Sequence, residues 1–204
     1  MTTISIIGSG NMATAIGTRA AKHGHTIELM SRNTAKAQAL ADQIGNGATV
    51  GTFGARPAGD IVIVAVLYTG AVEVVAHYGD ALAGKILVDI TNPFNADVSG
   101  LVTTAGNSVS QQIAAAPEGA HVVKAFNSIF RGVLAEDKPL DVFFAGDSAE
   151  AKARVAAFLE SLDMRALDAG GLEMAYVLEW VGILLVGLAR NGAGFDIALG
   201  AEVL

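Results

Sequence analysis

Short runs of aliphatic and β-branched residues recur along the chain, and between them lie alanine-rich stretches whose apolar positions return at helical spacing. The runs at Ile4–Ile7, Thr26–Met30, Thr49–Val50, Ile61–Val66, Ile86–Ile90, Val122–Ala125, Val142–Ala145 and Arg165–Asp168 predict strands. The central ones are apolar almost without a break, which predicts burial on both faces. Helices are expected at about Met12–His23, Thr34–Gln43, Gly70–Tyr78, Ser108–Ala115, Ala149–Leu162 and Leu172–Arg190, with Asn33-Thr34 and Asp147-Ser148 supplying N-caps. Strand alternating with helix predicts an α/β, Rossmann-type, doubly wound and mostly parallel sheet of about eight strands, followed by a C-terminal apolar helix. The longest connections, Asn92 to Asn107 and Asn127 to Leu140, are where binding is expected.

Composition narrows the class. A chain of 204 residues has room for one full-sized core, so 1–204 reads as a single domain, with 171–204 as a C-terminal helical cap or dimer element. The absence of cysteine removes disulfides, thiolate nucleophiles and Cys-ligated metals together, and fits a reducing, cytoplasmic setting. A formal net charge of −7 disfavours a nucleic-acid or anionic-membrane partner, while leaving room for a local basic pocket. The first residues run straight into a strand with no basic n-region, so no signal peptide is expected. The most apolar segment, Trp180–Ala189, has ten residues, about half of the ~20 that a bilayer crossing needs. A buried or interface helix is expected there, and no membrane.

Candidate chemistry begins at the first strand. Gly8-Ser9-Gly10-Asn11-Met12-Ala13 is a GxGxxA between a strand and an alanine-rich helix, the context in which such a motif binds a dinucleotide. Gly8 would allow the tight turn, Gly10 the approach of backbone to a pyrophosphate, and Ala13 the close packing of helix on strand, with the helix N-terminus facing the negative charge. About 20 residues further on, an NAD site carries a carboxylate for the ribose 2′-hydroxyl. Here Met30-Ser31-Arg32-Asn33 stands in its place. The Ser31 hydroxyl and the Arg32 fork suit a 2′-phosphate, and Lys36 can add a point charge, so NADP(H) is the expected dinucleotide.

With these residues placed, the chain resembles the F420-dependent NADP oxidoreductase family, whose members move a hydride between NADP(H) and an 8-hydroxy-5-deazaflavin. Gly8-x-Gly10-Asn11, Gly24-His25, Ser31-Arg32 with Lys36, Leu167-Asp168-Ala169-Gly170, Leu178-Glu179 and Asn191-Gly192-x-Gly194 carry the likeness. The resemblance implies that Ser9 to Met12, Ser31, Arg32 and Lys36 hold NADP, with Leu67 and Tyr68 near the nicotinamide. Asn33 departs from the family, standing where a second basic residue is often seen, and Leu67-Tyr68 replaces a Pro-aromatic pair. The stretch Asn92 to Arg131 is least alike. There Thr91-Asn92-Pro93-Phe94-Asn95 and Lys124-Ala125-Phe126-Asn127-Ser128 look more like the NADPH-binding domains of ferric reductases that pass hydride to flavin.

Ligands of open α/β sheets lie at the carboxyl ends of the strands, which nominates Leu67-Tyr68, Asn92-Pro93 and Phe126-Asn127-Ser128 as the rim. The amides of Asn92 and Asn127 can read a carboxamide or a ring edge, or can serve as turn residues. Lys124, within an apolar strand, is expected to bury its stem and leave its amine in solvent, with contact to an anionic ring edge as the alternative. No acid–base pair and no metal-type spacing stands out, so no catalytic or metal-binding residue is assigned. Hydride transfer between two flat rings needs none. The acceptor stays open between coenzyme F420 and FAD or FMN. The rivals are an NADPH-dependent imine reductase of the pyrroline-carboxylate type and a non-catalytic NADP(H) redox sensor. Leu172–Arg190 is apolar on more than one face, which predicts a homodimer through this helix.

Overall fold

The computed structural model describes residues 2–116 and 118–202, so the last two positions of the expected 171–204 element lie outside the described residues. Eight strands form one sheet: β1 (Thr3–Ile7), β2 (Thr26–Met30), β3 (Thr49–Gly51), β4 (Ile61–Val64), β5 (Ile86–Asp89), β6 (His121–Lys124), β7 (Leu140–Gly146) and β8 (Met164–Asp168). Their spatial order is β3-β2-β1-β4-β5-β6-β7-β8. β3 through β6 are mutually parallel, β7 runs antiparallel to β6 through Val123↔Gly146, and β8 is parallel to β7. The order reverses between β1 and β4, and ligands of such sheets sit outside that reversal.

Among the described residues, seven α-helices cover the two faces: α1 (Asn11–Lys22), α2 (Thr34–Ile44), α3 (Tyr68–Tyr78), α4 (Val109–Ala114), α5 (Arg131–Ala135), α6 (Ala149–Ser161) and α7 (Met174–Leu188). Side chains alternate across a strand, and the alternation sorts the core in two. Ile4, Ile6, Ile63 and Val88 pack beneath α1, α2, α5 and α6, while Ile7, Val62, Val64 and Leu87 pack beneath α3, α4 and the start of α7. Each fully buried side chain of this kind contributes about 1.5–3 kcal/mol, which is why neither face of the central strands tolerates a polar stripe.

The expected caps are present: Asn33 Oδ1 accepts from Lys36 N at 2.9 Å, and Ser148 Oγ accepts from Ala151 N at 3.2 Å. Asn33 thus serves as the N-cap of α2. β4, α3 and α5 differ from expectation. β4 stops at Val64 and α3 begins two residues early, at Tyr68, with Leu67 in its N-cap position. α5 interrupts the expected connection Asn127 to Leu140. The last helix lies within a few residues of the expected Leu172–Arg190, but its apolar run is longer than the ten residues Trp180–Ala189: with the π-helical turn Ala189–Ala193 it makes a 20-residue run of mean hydropathy 1.3 that, by length and composition alone, could cross a bilayer. Glu179, which bounds that apolar stretch in the sequence, lies inside the helix because its carboxylate is buried in an ion pair.

Candidate functional site

A cleft of about 710 Å³ opens at the carboxyl ends of β1, β2, β4 and β5, over the reversal of strand order. Gly8, Ser9, Gly10, Asn11 and Met12 form its floor. Gly8 has φ +131° and donates its N–H to Met30 O at 2.8 Å; a Cβ there would stand 2.2 Å from Ala65 O, so the turn between β1 and α1 demands glycine. Gly10, the N-cap of α1, is extended and has no atom within 4 Å of an ideal Cβ. Its missing side chain leaves open space above the helix start rather than relieving a clash. No acidic residue occupies the first turn of α1, so its unpaired N–H groups and dipole present an anion site without local opposition. Ala13, fully buried, lets the helix sit against the sheet.

Beyond the floor, Ser31 and Arg32 continue the cleft from the end of β2. Ser9 Oγ and Ser31 Oγ lie 3.2 Å apart, joining the two loops, and Ser31 Oγ also accepts from Asn33 N at 3.2 Å. No carboxylate stands at the end of β2 to meet a ribose hydroxyl. Arg32 reaches across the cleft instead, with Nη2 3.2 Å from Glu73 Oε1 on α3 and its guanidinium 5.6 Å above the ring of Phe53. Lys36 is exposed on α2 and does not line the cleft.

The opposite end is walled by Leu67 and Tyr68 at the start of α3 and by Thr91 and Asn92 after β5. Pro93 is buried behind this wall, where its carbonyl accepts from Val102 N at 2.9 Å. Asn127 is buried beside it and takes no part in the lining. It is not merely a turn residue either. Asn92 Nδ2 donates to Asn127 O at 2.7 Å, and Asn127 Nδ2 donates both to Asn92 Oδ1 at 3.0 Å and to Leu178 O at 2.7 Å. The two amides clasp the ends of β5 and β6 together and hold α7 against them. Phe126, fully buried, carries a left-handed φ of +61° just before this clasp, a strained conformation for a bulky residue.

Lys124 overturns its expected role. Its side chain is fully buried rather than snorkelling, and Nζ donates to Asp89 Oδ2 at 2.9 Å, to Thr91 O at 2.6 Å and to Glu179 Oε1 at 3.3 Å. The strand position leaves Nζ no route to solvent, so the ammonium is kept by two carboxylates and a carbonyl. Ser110 Oγ donates to Asp89 at 2.6 Å and Thr103 Oγ1 donates to Glu179 at 3.1 Å. Burial pushes the Glu179 carboxyl above its ordinary range, Lys124 pulls it back, and nearby Asp89 adds to the upward push. Through this triad α7 is fastened to the segment that ends in Asn92. Gly182 lets it come close, since a Cβ there would stand 3.0 Å from Asn92 Oδ1 and 3.1 Å from Phe94 Cζ.

Asp89 and Gly182 were not found by motif, and Glu179 only within the pair Leu178-Glu179, without a role. The available signal was an unexplained lysine within an apolar strand, and its partners lie 35 and 55 residues away in the chain. Among the described residues, no group of three or more His, Asp and Glu side chains is arranged to hold a metal ion. A second depression of about 660 Å³ lies at the β7–β8 edge, walled by Asp141, Glu160, Asp163 and Arg165. Its acids are matched to Arg165 or open to solvent, and it contains none of the glycine-rich turns.

A parallel sheet with its order reversed between β1 and β4, a glycine turn feeding a helix N-terminus, and an arginine where a carboxylate would select NAD define a Rossmann-type dinucleotide-binding domain. The family model of the coenzyme F420-dependent NADP oxidoreductases matches residues 3–93. It is 30% identical over 138 residues to the F420-dependent NADP reductase of Methanocaldococcus jannaschii, an alignment covering 64% of this chain and 62% of that one. It is 28% identical to the metalloreductase STEAP3 of Rattus norvegicus, over 90% of this chain and 37% of that protein. The chain therefore spans less than two thirds of the length of either relative. Among solved structures, a protein of Arthrobacter sp. FB24 superposes with TM-score 0.81 at 23% identity, over 94% of this chain and 95% of the other. A reductive aminase of Aspergillus terreus in complex with NADPH superposes with TM-score 0.65 at 24% identity, over 96% of this chain and 64% of the other. Both share the fold.

Proposed function

We propose that this protein binds NADP(H) in the 710 Å³ cleft and passes a hydride between its nicotinamide and a second flat ring, a deazaflavin or a flavin. The observation that carries the reading is the pairing of an unopposed helix N-terminus at Gly10–Met12 with Ser31 and Arg32 at the end of β2. The first suits a pyrophosphate and the second a 2′-phosphate. The 30%-identical relative is named an F420-dependent NADP reductase and the 28%-identical one a metalloreductase, and the first name fits hydride transfer between NADP(H) and a deazaflavin.

The chemistry asks little of acids and bases. A hydride carries both electrons, so the protein has to bind the two rings face to face, hold them at reacting distance and keep water out. In this chain Asn92, clasped to Asn127 and backed by Gly182, offers a fixed amide at the ring end, while Leu67 and Tyr68 offer an apolar wall. Imine reduction is the second reading, favoured by the shared fold of the NADPH-bound reductive aminase. We propose in addition that the protein is a homodimer through α7. Val177, Trp180, Leu184 and Leu188 recur at helical spacing on its outer face and are 41–53% exposed, and a second copy of the same stripe would cover them.

The deciding experiment follows the nicotinamide absorbance when NADPH or NADH is mixed with the protein and coenzyme F420, FMN, FAD, a ferric chelate or a cyclic imine in turn. NADPH-selective turnover with one of the ring acceptors is expected. Tight NADPH binding with turnover only of the imine, or with none of them, would replace the ring-to-ring reading by the imine reductase or by a redox sensor.

A further inference from the structure

We infer that Glu73 sets how strongly this site prefers NADP(H) over NAD(H), by serving as the counter-anion of Arg32 whenever no 2′-phosphate is bound. The inference rests on the NADP(H) reading above and adds to it a residue from another element. Arg32 stands at the end of β2, where selectivity for the ribose 2′-substituent is decided in this fold. It does not wait free. Its Nη2 is 3.2 Å from Glu73 Oε1, and its Cζ lies over the Phe53 ring, 5.6 Å from the ring centre. Phe53 is itself held, stacked on His77 at 5.1 Å and meeting Tyr78 edge-on at 5.3 Å. Arg32 is thus steered toward α3 by a ring below and a carboxylate ahead.

The chemistry of the exchange follows from counting contacts. Glu73 offers Arg32 a single N–H···O contact, with both partners in water, since their side chains are 58% and 76% exposed. A 2′-phosphate carries nearly two negative charges at neutral pH and can take the arginine fork with two oxygens. It therefore displaces Glu73, but it must first break the resting pair and then remain beside a like charge. NADH brings no phosphate. Its 2′-hydroxyl can donate to the same carboxylate, the role that a carboxylate at the end of β2 plays in NAD-selective sites. Glu73 accordingly weakens one cofactor and supports the other. Exposed pairs of this kind are worth a factor of about two to five in an equilibrium.

The test is the affinity of the full chain and of its Glu73→Gln variant for NADPH and NADH by titration calorimetry at low salt, repeated with 2′,5′-ADP and 5′-AMP as fragments without the nicotinamide. The ratio of NADH to NADPH dissociation constants should rise about two- to fivefold in E73Q, the fragment pair should show the same change, and both gains should shrink in salt. An unchanged ratio in E73Q overturns the inference. Arg32→Gln separates the two levels. If R32Q lowers NADPH affinity while E73Q leaves the ratio alone, the 2′-phosphate reading stands and the role of Glu73 falls. If R32Q leaves NADPH affinity unchanged, both fall together.

Discussion

The two ends of the cleft are built by opposite means. The end that we propose takes the phosphates is backbone: a glycine turn with φ +131°, a helix N-terminus and two short loops joined by Ser9 and Ser31. The ring end is side chains brought from far apart, with Asp89, Lys124 and Glu179 in one buried triad and Asn92, Asn127 and the Leu178 carbonyl in one clasp. A backbone device is fixed by local sequence and fails only when a particular atom is added. A side-chain assembly depends on every member and fails when one charge is left without its partner. Lys124→Met breaks the second kind, since it leaves two buried carboxylates facing each other without their cation. We expect a loss of about 3–5 kcal/mol in stability, measured by urea unfolding, with the melting of α7 contacts reported by Trp180 fluorescence. A loss below about 1 kcal/mol would mean that the triad does not fasten α7.

The same contrast explains what could be read in advance. Gly8, Gly10 and Ala13 lie within six residues, and the strand–turn–helix around them is a contiguous pattern whose physical meaning does not depend on the rest of the chain. The alternation of apolar runs was enough for the doubly wound sheet, because burial on both faces leaves a mark on every strand. Ser31 and Arg32 were legible as the absence of a carboxylate. Lys124 was not. In the sequence it is one cation in an apolar strand, and snorkelling is the ordinary fate of such a residue; only the fold brings Asp89 and Glu179 to it. The bounds of the last helix were legible but the reach of its apolar run was not, since Glu179 marks a boundary on a hydropathy scale and an interior position once it is paired. Glu73 is invisible in sequence because its partner Arg32 is 41 residues away on another element.

The phosphate end can be broken in two ways that separate stability from binding. In Gly8→Ala the new Cβ would meet Ala65 O at 2.2 Å, and φ +131° is unfavourable for any L side chain. A cost of about 2–4 kcal/mol in stability is expected from the strain and the overlap together, with binding lost as β1 and β4 move apart. Gly10→Ala should behave otherwise. Its backbone is extended and the added methyl meets nothing within 4 Å, so stability should change by less than about 0.5 kcal/mol. The methyl would nevertheless stand in the space through which a pyrophosphate approaches the helix, and NADPH affinity should fall at least about tenfold. Calorimetric titration beside thermal melts distinguishes the two: if G10A binds as well as the parent chain, the pyrophosphate does not lie over α1.

The smallest effect tests the ring end by titration. Three charges meet in the triad, and the groups that face Glu179 are Lys124 and Asp89, with Thr103 donating to it. Burial, ahead of the pull from Lys124, holds the Glu179 carboxyl above its ordinary range. A proton is therefore bound more tightly in the folded chain than in the unfolded one. Below the ordinary glutamate range both states are protonated and Glu179 costs nothing. As pH rises through and beyond that range the unfolded chain gives up its proton first, and stability falls until the folded carboxyl has ionised as well. Glu179→Gln keeps the shape and a contact to Lys124, leaves that lysine matched to Asp89 alone, and removes the titration. Its stability relative to the parent chain should therefore improve as pH rises from the acidic side toward neutrality, where K124M remains strongly destabilised. Urea midpoints at a series of pH values give the comparison directly. A difference that stays flat, or that moves against E179Q as pH rises, would show that the attraction of Lys124 matches or outweighs burial and that the Glu179 carboxylate is held as an anion at no cost.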